Sequence, residues 1–361
     1  MPLSRVLSDD LRSIYEQSQT NPSDLILDGR YRLLDPLGKG SVGAVYKAEH
    51  LWMNKTVAIK LLRPEVTSSE EAVKRFAREA RLASLMDNAH CVNVYDFAQA
   101  PDGTYYLAME YLEGQTLYKA IRKEKRLSLD QCREIFLPIL EALSAAHAIG
   151  IVHRDMKPEN VMLLNRGGPY PFVKILDFGI AKGDPGGDGA QLTRVGFTVG
   201  TPEYMSPEQA TAVDIDGRAD LYSTGVMLFE CATGRRPFLG SSAVEIASAH
   251  VGTPPPNPRE VCPEAGISAE LEAIILKALE KEPASRFPDA ASFAKALAKA
   301  IPDPRAEKPA PVTAKPVEPK AEPAPLQAAP SQPPVNASLP WGVAGVMTLV
   351  SLVLLILLMN K

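Results

Sequence analysis

The stretch from Ile151 to Asn160, IVHRDMKPEN, concentrates the residue types that could carry out a reaction. Asp155 can accept a proton or orient a hydroxyl, and Lys157, two residues later, can neutralise a phosphate at the same site. Asn160 offers an amide oxygen, a ligand that suits a hard cation such as Mg²⁺. The apolar residues before His153 are typical of a short strand. The spacing therefore predicts a site for phosphate chemistry.

A glycine turn near the start of the chain could supply a second part of such a site. Gly38, Gly40 and Gly43 form G-x-G-x-x-G, and glycine lets a backbone approach phosphates closely. A dinucleotide-binding turn shares this motif but opens a helix, whereas the following VYKAEH alternates like a strand. The pattern therefore favours a hairpin that covers phosphates; a merely tight hairpin is the alternative.

A third element is the apolar run Val57-Ala58-Ile59-Lys60, which reads as a strand that ends in a cation. Such a lysine suits contact with phosphates, and a surface lysine is the alternative. Asp177-Phe178-Gly179 adds a second acidic centre after the strand pattern VKIL.

Together these motifs resemble those of the protein kinases. IVHRDMKPEN resembles their catalytic loop, H-R-D-x-K-x-x-N in the Ser/Thr branch. The GTPEY and SPE sequences at positions 200–208 resemble the end of an activation segment, although the family more often has Ala where Ser206 stands. The resemblance covers about residues 31–301, with the motifs in order. The chain is most similar to the bacterial Hanks-type (eukaryotic-like) serine/threonine protein kinases in their membrane-anchored form.

The resemblance implies an α+β, two-lobed kinase fold at about residues 29–301. A small β-rich N-lobe would cover about 29–112, and a larger helical C-lobe about 113–301. Local patterns agree with this. Residues 68–85 have helical periodicity, and Ser128 with Gln131 predicts a capping box that opens a helix through Ala148, with Pro138 inside it.

The resemblance also assigns roles for ATP and Mg²⁺, with Mn²⁺ as an alternative metal. Asp155 would be the catalytic base, Lys157 would stabilise the transferred phosphoryl group, and Lys60 would grip the phosphates while paired with Glu79. Asn160 and Asp177 would hold the metal. The expected nucleotide-binding residues are Leu37, Gly38, Gly40, Ser41, Gly43, Val45, Ala58, Lys60, Met109, Glu110 and Leu112.

Other family positions imply support and regulation. Asp220 would hold the catalytic-loop backbone, Glu208 would pair with Arg286, and Thr201 would contact the catalytic residues. Arg154 beside Asp155 is typical of kinases that a phosphorylated loop threonine switches on, and Thr198, then Thr193, are the candidates.

Composition limits the partners and the compartment. The net charge of −4 gives no basic footprint, so nucleic-acid binding has no support. Four scattered cysteines indicate reduced thiols and neither a disulfide framework nor a metal site. The N-terminal residues 1–28 form a polar leader without the apolar core of a signal peptide. ATP and protein substrates are the expected partners.

The C-terminal region predicts a membrane anchor. Residues 302–340 are rich in Pro, Ala, Lys and Glu, which indicates a disordered linker that could reach on the order of 100 Å. Residues 341–359, WGVAGVMTLVSLVLLILLM, are uncharged and apolar, and as a helix they would span roughly 28 Å. The expected location is a single-pass protein of the cytoplasmic membrane with its kinase domain in the cytoplasm.

Two other classes of protein share some of these features. A pseudokinase scaffold would bind partners without transfer, but it usually lacks one of Lys60, Asp155 or Asp177. A small-molecule kinase of the aminoglycoside-phosphotransferase type lacks the segment that ends in SPE. A homodimer that phosphorylates itself in trans is a further possibility by family analogy alone.

Overall fold

The computed structural model describes residues 25–39, 43–64, 66–67, 69–178, 202–211, 213–303 and 305, without the side chains of Glu71, Arg75 and Glu79. The chain divides into two units, Met1–Glu307 and Lys308–Lys361, and the second lies outside the described residues. The predicted linker and membrane span therefore fall almost entirely outside them. Within the described part of the chain, no helix has both the length and the apolar character needed to span a bilayer.

An antiparallel sheet of six strands forms the N-lobe, in the order β1-β2-β3-β4-β6-β5. Its strands are β1 (Ile26–Leu27), β2 (Tyr31–Lys39), β3 (Gly43–His50), β4 (Lys55–Leu62), β5 (Val94–Gln99) and β6 (Tyr105–Glu110), and helix α1 (Glu70–Ser84) packs on it. Strand side chains alternate between two faces. Val57 and Ile59 of β4 therefore enter one apolar core, while Ala58 enters a second core shared with Phe76 of α1.

Backbone geometry around the glycine turn explains part of its sequence. The pairing of β2 with β3 shifts register on both sides of Pro36, which has no N–H to donate to the ladder. A Cβ built on Gly43 would lie 1.8 Å from the Leu61 carbonyl oxygen, so only glycine fits where β3 approaches β4. Gly43 thus has a packing reason in addition to its predicted role.

The C-lobe is mainly helical, with a small sheet in the order β7-β8-β9. Its strands are β7 (Gly114–Thr116), β8 (Val161–Leu164) and β9 (Phe172–Ile175). Its helices are α2 (Leu117–Glu124), α3 (Leu129–Ala148), α4 (Pro207–Thr211), α5 (Gly217–Thr233), α6 (Ala243–Gly252), α7 (Pro258–Val261), α8 (Ala269–Ala278) and α9 (Ala290–Ala300), and short 3₁₀ turns lie at Pro158–Asn160, Pro202–Tyr204, Pro263–Ala265 and Pro283–Ser285.

The helix ends largely follow the sequence signals. Ser128 and Gln131 form the predicted capping box at the start of α3, and the helix continues through Pro138 to Ala148. Asp216 caps α5, which is buried on nearly every side and forms the centre of the lobe. All four cysteines are buried and free.

Two boundary predictions need correction. The segment assigned to the polar leader includes β1, which pairs with β2, and Asp28, whose carboxylate pairs with Arg30 at 2.5 Å. The folded domain therefore begins by Leu25, because edge pairing and one ion pair stabilise these residues. In addition, the catalytic run does not follow a strand: it follows the end of α3, where Ile151 N donates to Ala146 O at 3.0 Å.

Candidate active site

The loop that contains Asp155 is held in place by Asp220, a residue of α5 that is 1% exposed. Its two carboxylate oxygens accept hydrogen bonds from the backbone N–H groups of His153 and Arg154, both at 2.8 Å. His147 of α3 also contacts this carboxylate through Nε2 at 2.8 Å. Arg154 has φ of 60°, which is unfavourable for a residue with a Cβ, so the bonds to Asp220 hold a strained turn. Asp220 therefore lies against the backbone of the catalytic loop, where the family resemblance places it.

Three side chains of the catalytic run converge on one point. Lys157 Nζ lies 2.8 Å from Asp155 Oδ2. Asn160 Nδ2 donates to the backbone oxygen of Asp155 at 2.8 Å and to its Oδ2 at 3.1 Å. Because the Asn160 nitrogen is used as a donor, its amide oxygen is left to accept or to bind a cation. An acid, a cation and an amide thus share one site.

His153 connects this loop to the second acidic centre. Its Nε2 donates to the Leu176 carbonyl at 2.8 Å, and its Nδ1 accepts from Asp155 N at 3.2 Å. The ring packs edge-on against Phe178 with 4.8 Å between centroids. Because His153 is fully buried, these contacts fix the segment that follows β9 and contains Asp177 relative to Asp155.

Asp177 forms an ion pair with Lys60 across the two lobes, with 2.8 Å between Oδ1 and Nζ. The lysine side chain is 9% exposed and that of Asp177 is 34% exposed, so the carboxylate faces the more open side. The backbone of Glu79 lies in α1, but its side chain is outside the described part of the structure. The Lys60–Glu79 pair therefore stays a prediction, and the described partner of Lys60 is Asp177.

Most of the apolar side chains among the predicted nucleotide-binding residues lie together. Val45, Ala58, Met109 and Leu112 belong to a single apolar cluster, which Leu176 joins. Leu176 was missed by the sequence analysis, although its position directly before Asp177 was a usable signal. Leu37 is not part of this cluster and is 47% exposed. Gly40 and Ser41 are outside the described residues.

Lys174 of β9 is a buried cation that sequence reasoning missed. It is 3% exposed, and its Nζ lies 2.6 Å from Glu110 Oε2 and donates to the Cys91 carbonyl at 2.9 Å. Asn93 Nδ2 also donates to Glu110 Oε2, at 3.0 Å. These contacts join Glu110, a predicted nucleotide-binding residue at the end of β6, to the second sheet.

The predicted ion pair between Glu208 and Arg286 is present and bidentate. Nη1 and Nη2 of Arg286 donate to the two Glu208 oxygens at 2.7 and 2.8 Å. Arg286 also donates to three backbone carbonyls, those of Arg218, Glu280 and Lys281. Since both side chains are buried, the pair anchors α4 to the base of the lobe.

Ser206 has a specific role at the start of α4. Its N–H donates to Gln209 Oε1 at 3.0 Å, and its Oγ accepts from Gln209 N at 3.4 Å, which is a reciprocal cap. Gln209 Nε2 in turn donates to the Arg154 carbonyl at 2.7 Å. Alanine at position 206 would lose the side-chain half of this cap, so the departure from the family pattern has a local reason. The predicted sites Thr193, Thr198 and Thr201 lie outside the described residues.

Comparison with known proteins decides the family. The protein kinase domain family model matches residues 31–298. This chain belongs to the protein kinase family. The matched range contains Gly43, Lys60, Asp155, Asn160, Asp177 and Arg286.

Several bacterial serine/threonine-protein kinases are similar to this kinase. It is 45% identical to pkn3 of Myxococcus xanthus over 265 residues, which is 73% of this chain and 48% of pkn3. It is 37% identical to PknB of Mycobacterium leprae over 270 residues, 74% of this chain and 42% of PknB. The chain thus spans less than half the length of these curated relatives.

A solved structure shows the same architecture. The kinase domain of Mycobacterium tuberculosis PknI superimposes with a TM-score of 0.60 at 27% identity, and the match covers 77% of this chain and 98% of the PknI domain. The two-lobed fold expected from the motifs is therefore confirmed.

Proposed function

We propose that this chain is an active serine/threonine protein kinase that transfers the γ-phosphoryl group of ATP to protein Ser and Thr hydroxyls. The observation that carries the proposal is the convergence of Asp155, Lys157 and Asn160 within 3.1 Å contacts, held by a buried Asp220. Phosphoryl transfer depends mainly on positioning and charge neutralisation, and this site supplies both. The similarity to kinases named for Ser/Thr activity supports the same substrate class.

Each residue has a task in this reaction. Asp155 orients the substrate hydroxyl and accepts its proton, and Lys157 neutralises charge on the phosphoryl group during transfer. Lys60 binds phosphate oxygens of ATP, and its ion pair with Asp177 supports this role. A lysine at position 157 is typical of the Ser/Thr branch. Tyrosine kinases usually have a different residue at this position.

The donor set fits Mg²⁺ better than a softer metal. Asn160 and Asp177 offer oxygen atoms as ligands. Leu176, the residue before Asp177, donates its N–H to the Asn160 carbonyl at 2.8 Å, which keeps Asn160 and Asp177 close. In the described part of the chain, no cluster of three His, Cys, Asp or Glu side chains could hold a metal alone. Mg²⁺ usually takes one or two protein ligands and completes its shell with phosphates and water, and Mn²⁺ is an alternative. When bound, the cation neutralises phosphate charge.

The test is transfer of labelled phosphate by the full chain, with ATP and Mg²⁺, beside Asp155→Asn and Lys60→Met. We expect label on Ser or Thr in the wild type and almost none in either variant. Lys119→Met, which changes an exposed lysine of α2, serves as the control and should keep wild-type activity. Absence of label from the wild type despite ATP binding would overturn the proposal in favour of a scaffold.

We further propose that the kinase phosphorylates its own loop at Thr198 or Thr193 and acts from the cytoplasmic face of a membrane, anchored through residues 341–359. The support for both is the sequence, since these residues lie outside the described structure. In a homodimer, each chain would phosphorylate the loop of its partner. After incubation of the wild type with ATP and Mg²⁺, mass spectrometry should find phosphate on the loop, and the T193A/T198A protein should lose activity. A fully active T193A/T198A protein, together with a wild type that carries no loop phosphate, would contradict this regulation.

A further inference from the structure

His250 of α6 is fully buried, and its ring lies between two residues that use both of its nitrogens. Nε2 lies 3.1 Å from the Glu203 carbonyl oxygen, and Nδ1 lies 3.0 Å from the Tyr222 hydroxyl. A carbonyl oxygen can only accept, so Nε2 must carry the hydrogen. In a neutral ring, Nδ1 is then an acceptor, and Tyr222 donates to it.

The chain of hydrogen bonds continues to Lys281, whose direction is also fixed. Because the hydroxyl hydrogen of Tyr222 is directed at His250, the Tyr222 oxygen can accept a second hydrogen bond. Lys281 Nζ lies 3.4 Å from this oxygen and donates to it. Lys281 also donates to the His250 carbonyl at 2.8 Å, at the last turn of α6. With a neutral His250 ring, donor and acceptor chemistry sets the order Lys281 to Tyr222 to His250 to Glu203.

The surroundings keep the His250 ring neutral. Phe238 packs edge-on against it with 4.7 Å between centroids. Burial, with Lys281 nearby, lowers the pKa of His250 to about 4, although the Glu203 backbone and side chain oppose this shift. A neutral ring with its one hydrogen on Nε2 agrees with both hydrogen bonds.

The hydrogen bond to Glu203 is important because the residues after Glu203 lie beside Asp155 and Lys157. Glu203 lies in the 3₁₀ turn Pro202–Tyr204, and the next residues, Tyr204 and Met205, line a small cleft with Asp155 and Lys157. Its side chain is held by Arg236 at 2.8 Å. The Tyr204 carbonyl accepts from Ser223 Oγ at 2.6 Å. The bond from His250 thus connects α6 to the backbone at one wall of this cleft.

We propose that His250 is a positioning residue that holds the Glu203–Met205 backbone where the protein substrate binds, and that Tyr222 and Lys281 fix its hydrogen on Nε2. This rests on the proposed kinase function. The ATP side of the site is built from other elements, so loss of the bond should weaken protein-substrate binding and leave ATP binding unchanged.

The kinetic test compares matched variants of the full chain. His250→Phe keeps a ring beside Phe238 but removes the donor, and His250→Gln restores an N–H. His90→Phe is the control, because His90 Nδ1 also bonds a backbone carbonyl, that of Val173, at 2.8 Å while the ring stacks on Phe172. We expect His250→Phe to raise KM for myelin basic protein about three- to tenfold, with KM for ATP within about twofold.

The other variants complete the comparison. His250→Gln should return KM for the protein probe to within about twofold of wild type, and His90→Phe should not raise it. An unchanged KM for the protein probe in His250→Phe, or an equal rise in both KM values, would overturn the proposal.

A second measurement does not depend on activity or on the folding of the phenylalanine variant. The chain has five histidines, so ¹⁵N-histidine labelling gives few signals, and His250→Gln identifies the one of interest. We expect a neutral ring with hydrogen on Nε2 between pH 5.5 and 8, and a shifted Nδ1 signal in Tyr222→Phe. A charged ring, hydrogen on Nδ1, or an Nδ1 signal indifferent to Tyr222→Phe would refute the inference even if the wild type proved inactive.

Discussion

Lys157 and Asn160 illustrate how two side chains can prepare an acid for transfer chemistry. Both direct an N–H toward Asp155 Oδ2, at 2.8 and 3.1 Å. Asn160 also bonds the Asp155 backbone, whereas Lys157 carries the positive charge that can neutralise a phosphate. We therefore assign the larger part of transition-state stabilisation among these two residues to Lys157.

Lys157→Met tests this assignment at the level of one residue. Loss of a positioned donor to a developing charge typically lowers kcat about 10²- to 10³-fold, and we expect that loss here. KM for ATP should change little, since Lys60 remains. The measurement is steady-state phosphorylation of myelin basic protein, with Lys119→Met as the control. A fall in kcat of less than about fivefold would show that Lys157 is not part of the transition-state site.

Arg286 and Glu208 show how one element, α4, is held to the rest of the C-lobe. The pair is bidentate, with side chains that are 0% and 6% exposed. Nearby, Arg218 and Asp216 form an ion pair at 2.6 Å in which the side chains are 35% and 54% exposed. The two pairs have the same chemistry but differ in burial, so they form a natural comparison.

The two arginines should therefore differ in their effect on stability. Arg286→Met leaves Glu208 buried without its partner, and we expect a loss of about 3–5 kcal/mol in the free energy of unfolding. Arg218→Met removes a surface pair and should cost less than about 1 kcal/mol. Urea unfolding of both variants measures the difference. Equal losses would mean that the buried pair does not anchor α4.

At the scale of the whole molecule, several polar contacts among the described residues join the two lobes. Lys60 reaches Asp177, and Lys174 joins Glu110 and Cys91. In addition, Val92 N donates to the Ile175 carbonyl at 3.0 Å. Lys60, a predicted nucleotide-binding residue, is therefore itself part of the contact between the lobes.

The proposed membrane anchor belongs to this scale as well. Because residues 341–359 are apolar and uncharged, we expect the full chain to sediment with membranes and to resist extraction at alkaline pH. Deletion of 341–359 should release it to the soluble fraction. Deletion of 318–327, within the spacer, is the control and should leave it bound. A full chain found in the soluble fraction would refute the anchor.

The sequence motifs by themselves predicted the local arrangement of the catalytic run and the start of α3. The acid, lysine and amide at 155, 157 and 160 are close in sequence, so a single loop must bring them together. The capping signals at Ser128 and Asp216 act within one turn, and the structure has both caps. Local spacing was sufficient wherever the interacting residues were near neighbours in the chain.

Tertiary structure decided the contacts that join distant segments without a motif to mark them. Nothing local to Lys174 indicates that it reaches Glu110, 64 residues away, or that His250 meets Glu203, 47 residues away. The leader boundary was misplaced for the same reason, since Ile26 and Leu27 become a strand only by pairing with β2. Burial then gives these contacts their importance, because a polar group removed from water needs a partner that only the folded chain provides.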